Sequence, residues 1–314
     1  MGRIRKIGSA HCNYSQILYQ FLTFTQNLKR SPNIVMIIIV LFCIIPLILL
    51  VMSSLTDNNA LLRNGYTFWP SEFSIDAYKY LINSGSQILR AYGMSFIVTI
   101  IGVALSIVMT TSLGYAISRR NLPGRGILTF MVFFTMLFNG GLVPTYLMYT
   151  GTFHIKNTII ALIVPNLLVR AYYVMLMRSY FLTNLPGEVL EAASIDGASE
   201  FQTFRVVAVP MSKPIIATVL MFTTILYWND WQNGLYYIST KTSLYTIQNL
   251  LNRMISEIQY LANNAVVGQS NVANVPSATV RMAIAVVGIL PIAIAYPFIQ
   301  KNFAKGITLG AVKG

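Results

Sequence analysis

Three groups of residues in this 314-residue chain have the types and spacing to do chemistry. The run Tyr227, Trp228, Asn229, Asp230, Trp231, Gln232 and Asn233 alternates aromatic faces with amides and a carboxylate. Aromatic faces stack on the CH faces of a sugar ring while the polar groups satisfy its hydroxyls. An aromatic belt at a membrane surface has the same composition, so both readings stand. Arg170 and Asp230 form the second group, charges inside otherwise apolar segments. Such groups normally face a polar cavity or a partner. Counted at helical rise from the ends of their segments, they differ in depth by about 12 Å, which disfavours a direct bridge. The third group is acidic: Glu188, Glu191, Asp196 and Glu200 lie between two long apolar segments of a chain whose net charge is +13.

Catalytic chemistry is poorly served. No Gly-x-x-x-x-Gly-Lys-Ser/Thr stretch occurs, so the backbone cradle and lysine that hold nucleotide phosphates are missing. His11 and His154 are the only histidines and fall on opposite predicted sides, and Cys12 and Cys43 lack metal or disulfide spacing. No catalytic residue, metal or cofactor is expected on this chain, and any work must come from a partner.

The elements that position these groups are membrane helices. With 55% hydrophobic and 10% charged residues, the chain is too apolar for an ordinary soluble domain. Residues 34–52, 91–118 and 282–300 are free of charge, and 127–149, 158–181 and 214–237 nearly so; each is long enough to cross about 30 Å of hydrocarbon. The expected fold is all-α, a polytopic membrane protein of six transmembrane helices spanning 34–300, with tails at 1–33 and 301–314. Lys and Arg concentrate in both tails and in the loops carrying Arg119, Arg120, Arg125, Arg205 and Lys213, which sets those loops and both termini on the cytoplasmic side. The positive charge therefore reads as topology plus attraction to the lipid bilayer, and no nucleic acid partner is expected. Residues 34–52 are too long for a cleaved signal.

In the outer loop 241–278, Leu244, Ile247, Leu250, Leu251, Met254, Ile255, Ile258 and Leu261 make one apolar stripe on a helix ending near Asn263 and Asn264, expected on the membrane surface or against a partner. Prolines at 46, 144, 165, 291 and 297 predict kinks.

The acidic loop at 186–212 reads as two helices. Pro186 suits a first helical turn, Glu188 and Glu191 complement the positive helix end, and Gly197 closes it. Ser199 and Gln202 have capping-box spacing and open a second helix, which Pro210 and Pro214 are expected to stop. Ala192 and Ala193 are small enough to let the first helix approach a groove closely.

Glu191-Ala192-Ala193, three residues, Gly197, nine residues, Val207, one residue, Val209 and Pro210 resembles the signature loop of the membrane subunits of bacterial ATP-binding cassette importers. Gly114-Tyr115-Ala116, Arg119, Leu122-Pro123-Gly124-Arg125, the run from Gly140 to Tyr146 and Ile195-Asp196-Gly197-Ala198 resemble the carbohydrate-uptake branch, in its maltose-permease G-type form. The closing run from Lys305 to Gly314 is similar to the Gram-positive complex-oligosaccharide subgroup. The resemblance implies a type I importer permease fold in the bacterial cell membrane. It implies that Glu191, Ala192, Ala193, Asp196, Gly197, Ala198 and Pro210 couple the chain to a cytoplasmic ATPase. It implies a second homologous permease subunit, two ATP-binding cassette subunits holding ATP and Mg, an extracytoplasmic solute-binding protein and an oligosaccharide substrate; the C-terminal tail reads either as a contact with the ATPases or as a solvated glycine-rich end. The substrate-path candidates are Tyr227, Trp228, Asn229, Asp230, Trp231 and Arg170. The rival readings are an ion-coupled secondary transporter with Asp230 as the titrating group, a structural or signalling membrane subunit, and an importer permease for a non-sugar solute.

Overall fold

The computed structural model describes residues 35–83, 85–265 and 278–294; the expected tails, residues 266–277 of the outer loop and the end of the last span lie outside the described residues. Secondary structure among them is helical, with one isolated antiparallel bridge between Thr56 and Phe73. Helix α1, Val35–Ser54, has a mean hydropathy of 3.5 over its apolar stretch and buries none of that stretch; only at its end are Ser53 and Ser54 buried, with the Ser54 hydroxyl 2.7 Å from that of Tyr78. A helical stretch apolar all round and left this bare by its own chain needs lipid or a partner as its surroundings. Helix α2, Asn58–Asn64, is capped by Asp57, whose carboxylate accepts the amides of Asn59 and Ala60 at 2.9 and 3.1 Å. Helix α3 is Asp76–Asn83.

The longest helix, α4, runs Gly85–Ser118 and is the mast of the bundle. It can be packed closely because it carries glycine where neighbours press in. A Cβ on Gly114 would sit 2.8 Å from the Met177 Cβ, and one on Gly102 would land in the Tyr227 ring. Helix α5, Arg125–Leu137, is followed by α6, Leu142–Leu147, which widens into a π-turn at Met148–Thr152. Then come α7, Ile160–Ile163; α8, Ala171–Asn184; α9, Gly187–Ile195; α10, Glu200–Gln202; a π-turn at Thr203–Ala208; and α11, Val209–Met211. Helix α12, Lys213–Asn229, leads to α13, Gln232–Tyr237, and α14, Ile247–Ala265. Helix α15 is Ala278–Ile294.

Among the described residues two helices, α1 and α4, are individually long and apolar enough to span a membrane, and four spans result if each bent pair counts as one. The expected straight segment at 127–149 is broken: α5 and α6 meet at 119°. Gly141 makes the corner at φ +85°, and the Asn139 carboxamide accepts its amide at 2.9 Å. Pro144 therefore falls in the first turn of α6, where its missing N–H costs nothing, and does not kink a long helix. The segment at 158–181 is also interrupted. It is α-helical at 160–163 and again from 171, with the intervening residues outside the α-helix and Asn166 at φ +59°. The break falls where Pro165 predicts a kink: it has no N–H to donate, and the chain turns after it at Asn166 while Val164 before it keeps helical backbone. Arg170 thus stands at the N-cap of α8 in extended backbone, and a depth counted at helical rise has no basis there.

The α14 stripe is covered by the chain itself. Ile247, Leu250, Leu251 and Ile258 are buried with Ala77 and Leu81 of α3, Ala91 of α4 and Val280, Ala283 and Ile284 of α15. The expectation of a membrane-surface or partner-facing helix is corrected accordingly, because the period shows that a face is buried but not by what. Further along the bundle, one cluster gathers around Tyr227, Leu162 and Tyr237, and another around Tyr115, Met177, Phe181, Leu190 and Val219.

Candidate functional site

Local hydrogen bonding builds the acidic loop. Pro186 takes the N-cap and Gly187 the first helical position of α9, with Glu188 in the first turn. At the other end the Ala198 amide donates to the Ala193 carbonyl at 3.0 Å and the Gly197 amide to the Ser194 carbonyl at 3.1 Å. That pair of bonds is the Schellman closure, and it needs the left-handed backbone that Gly197 adopts at φ +81°. The capping box follows at once: the Ser199 amide donates to the Gln202 carboxamide at 2.8 Å, and the Gln202 amide to the Ser199 hydroxyl at 3.3 Å.

Pro210 does not stop the second helix. The backbone loosens into π geometry over Thr203–Ala208, continues through Pro210 to Met211, and turns by 81° before α12. A π-turn directly before a proline relieves the crowding its ring imposes on the preceding turn.

The two short helices are anchored on one side and bare on the other. Leu190 and Ala208 are buried in the cluster that holds Met177, Phe181 and Val219. Ile195 is 86% exposed, Phe201 70% and Val206 69%. Glu191, Ala192, Asp196, Gly197 and Pro210 are exposed, while Ala193 and Ala198 are half-buried. Apolar side chains held out on rigid helix ends, bordered by carboxylates, form a surface suited to docking.

A polar clamp joins this loop to the mast. Arg119, just past the end of α4, donates from two of its guanidinium nitrogens, Nη2 and Nε, to the two carboxylate oxygens of Glu200, at 2.9 and 3.2 Å. The Tyr115 hydroxyl adds a bond to the same carboxylate at 3.2 Å, and the guanidinium lies 5.8 Å from the centre of the Tyr115 ring. Phe204 and Phe181 pack on that ring at 5.1 and 5.6 Å. The Arg119 hydrogen bonds hold the Glu200 carboxyl below the usual carboxylate range, and the same contact raises Arg119. Beside the clamp lies a 610 Å³ cavity whose walls include Ala116, Leu122, Pro123 and Phe201. Sequence reading singled out Glu200 and Arg119 separately and did not pair them; 81 residues separate the two and no local periodicity links them.

The aromatic and amide run divides. Tyr227, 3% exposed, donates its hydroxyl to the Ile163 carbonyl at 2.9 Å, filling the gap left by the end of α7. Trp228 is buried, with its ring against Phe96 at 5.2 Å and Tyr92 at 6.4 Å. Both are placed inside the helix packing. Asn229 and Trp231 instead line an open groove of 470 Å³ between α12, α14 and α15, together with Gln248, Asn252 and Ile255. Asp230 ends α12, and its carboxylate accepts the Asn233 amide at 3.5 Å. Asn233 is buried and donates to the Pro165 carbonyl at 2.9 Å, so the interrupted segment before α8 is bonded to the start of α13. Arg170 donates to the Asn166 carbonyl at 3.1 Å, and among the described residues no ion pair joins it to Asp230.

Residues 111–309 match the family model described as the binding-protein-dependent transport system inner membrane component. The chain is 34% identical over 271 residues to Protein LplC of Bacillus subtilis (strain 168), covering 86% of this chain and 90% of that one. It is also 34% identical over 274 residues to the polygalacturonan/rhamnogalacturonan transport system permease protein YtcP of the same strain, covering 87% and 94%. In structure it is similar to a chain of a bacterial ABC transporter involved in the import of the acidic polysaccharide alginate, with a TM-score of 0.70 at 22% identity over 89% of this chain and 98% of that chain.

Proposed function

The chain belongs to the family of binding-protein-dependent transport system inner membrane components, and we infer that it is the permease subunit of an ATP-driven importer of sugars, with complex oligosaccharides as cargo. The observation that carries the mechanism is the two-helix loop at 186–212, bare and apolar on its outer side and clamped to α4 by Arg119 and Glu200.

In this reading the chain crosses the bacterial cell membrane six times with both termini in the cytoplasm. It pairs with a second homologous permease subunit, two ATP-binding cassette subunits and an extracytoplasmic solute-binding protein. Glu191, Ala192, Ala193, Asp196, Gly197, Ala198 and Pro210 form the docking face for an ATPase, which holds the ATP and Mg that this chain has no phosphate loop to bind. ATP-dependent closure of the ATPases displaces the loop. The Arg119–Glu200 clamp passes that displacement to the end of α4, and α4 carries it to α8 and α12 through the close contacts at Gly114 and Gly102. A packed bundle driven this way shifts between two arrangements and does not deform continuously.

For the sugar, Asn229 and Trp231 supply an amide and an aromatic face on the groove shared with Gln248 and Asn252. Tyr227, Trp228 and Asp230 hold the wall of that path in place, and Arg170, which does not line the groove, is the remaining candidate on the path from the start of α8.

The test is co-purification. Affinity capture of this chain brings down an ATPase whose hydrolysis rises when binding protein and oligosaccharide are added together. Capture without an ATPase, or uptake abolished by a protonophore at constant ATP, contradicts the reading and favours an ion-coupled carrier.

A further inference from the structure

A second groove lies on the outer face of the bundle, between α5 and α8, with a volume of 560 Å³. Two of its lining residues are Arg125, the first residue of α5, and Arg178; Thr129, Phe130, Phe133 and Met175 make most of the rest, and no carboxylate lines it. Helix α5 buries none of its residues, and Phe130 and Phe133 are exposed. Arg178 sits in α8 about 10 Å before the end that leads into the acidic loop, the end where Arg125 also lies. One guanidinium nitrogen of Arg178 donates to the Ile117 carbonyl at 3.4 Å, and among the described residues its side chain forms no other hydrogen bond. The Thr129 hydroxyl oxygen is shut from solvent in the same wall with no hydrogen-bond partner among them.

We propose that this groove binds one anionic glycerophospholipid, its phosphate between Arg125 and Arg178 and an acyl chain along Phe130, Phe133 and Met175. Guanidinium groups fit phosphate oxygens in pairs, and a cationic group at the edge of the hydrocarbon needs such a counter-charge. Basic pockets between membrane helices are suited to anionic headgroups for the same reason. The aromatic residues one to two turns beyond Arg125 match the chain below the headgroup. A water-soluble anion would satisfy the arginines and leave those faces bare. The inference rests on the membrane placement above and is independent of the cargo.

The probe is phosphatidylglycerol. The importer assembled with its partner subunits is placed in nanodiscs of mixed phosphatidylcholine and phosphatidylglycerol, and the lipid retained is measured by native mass spectrometry. A photo-crosslinker at position 133 reports what fills the groove. The wild type is expected to keep phosphatidylglycerol and crosslink to it, and Arg125→Gln with Arg178→Gln is expected to weaken that retention roughly 30-fold, two arginines' worth of surface attraction. Arg125→Gln alone keeps the test open if the double variant does not assemble, since the Arg125 side chain makes no hydrogen bond among the described residues. Equal retention by wild type and variants overturns the proposal, as does a crosslink from position 133 to protein in place of lipid. Sugar uptake measured on the same preparation separates this failure from failure of the transport reading.

Discussion

The Arg119 guanidinium grips the Glu200 carboxylate at 2.9 and 3.2 Å, fastening the second helix of an exposed loop to the end of the 34-residue α4. Glu200 is largely exposed and Arg119 is not, so the pair contributes about 1 kcal/mol or less to stability. In the proposed transport cycle its role is mechanical. Glu200→Gln and Arg119→Ala are expected to leave the melting temperature of the purified complex nearly unchanged while lowering transport-coupled ATP hydrolysis several-fold. The swap of Arg119→Glu with Glu200→Arg restores part of it. A loss of melting temperature equal in weight to the loss of coupling would reduce the clamp to a structural contact.

The same pair carries a pH dependence. Because Arg119 holds the Glu200 carboxyl below its usual value, the contact adds stability above the ordinary glutamate pKa of about 4.3, and this is lost as the pH falls through the lowered value. Melting temperatures taken from neutral to acidic pH are expected to fall less in Arg119→Ala than in wild type across that window. Parallel curves contradict the assignment.

Gly197 is required for its backbone and not for space. A Cβ there meets nothing within 4 Å, but the φ of +81° costs a branched residue about 1–2 kcal/mol. Gly197→Val is expected to abolish coupled ATP hydrolysis, and Gly197→Asn, which tolerates that region better, to retain a measurable part. Equal activity of the two variants would place the constraint elsewhere.

Gly102 works the opposite way, with an ordinary backbone and no room. Gly102→Ala drives a methyl group into the Tyr227 ring and is expected to cost about 1–3 kcal/mol, seen as a lower melting temperature. Adding Tyr227→Val makes space and recovers part of the loss. Tyr227→Phe alone leaves the Ile163 carbonyl without its bond and costs about 1 kcal/mol.

What could be read from the sequence follows the range of the interaction. The Gly197 closure and the Ser199–Gln202 capping box involve bonds spanning three to five residues, and types and spacing sufficed to find them. Long-range pairings were not legible. Arg119 and Glu200 meet only because α4 and the loop reach the same end of the bundle, and the α14 stripe shows a buried face whose partners, on α3 and α15, depend on the tertiary fold. Hydropathy likewise marked segment 127–149 as apolar without registering the corner at Gly141, because side-chain polarity does not report backbone direction, whereas the break in 158–181 falls where Pro165 predicts a kink. Tyr227 and Trp228 could be read equally as sugar contacts or as membrane-interface residues, and the structure puts both into helix packing, leaving Asn229 and Trp231 at the groove.

ATP-dependent uptake of labelled oligosaccharide into proteoliposomes, with Ile195→Asp compared against wild type, tests the proposed coupling role of the loop most directly. Ile195 is 86% exposed, so a charge there leaves the fold intact and spoils only a surface that something must cover. The expected result is wild-type uptake that requires ATP and binding protein, and an Ile195→Asp complex with unchanged melting temperature that takes up none. Uptake by Ile195→Asp at the wild-type rate, or wild-type uptake that proceeds without ATP, would contradict it.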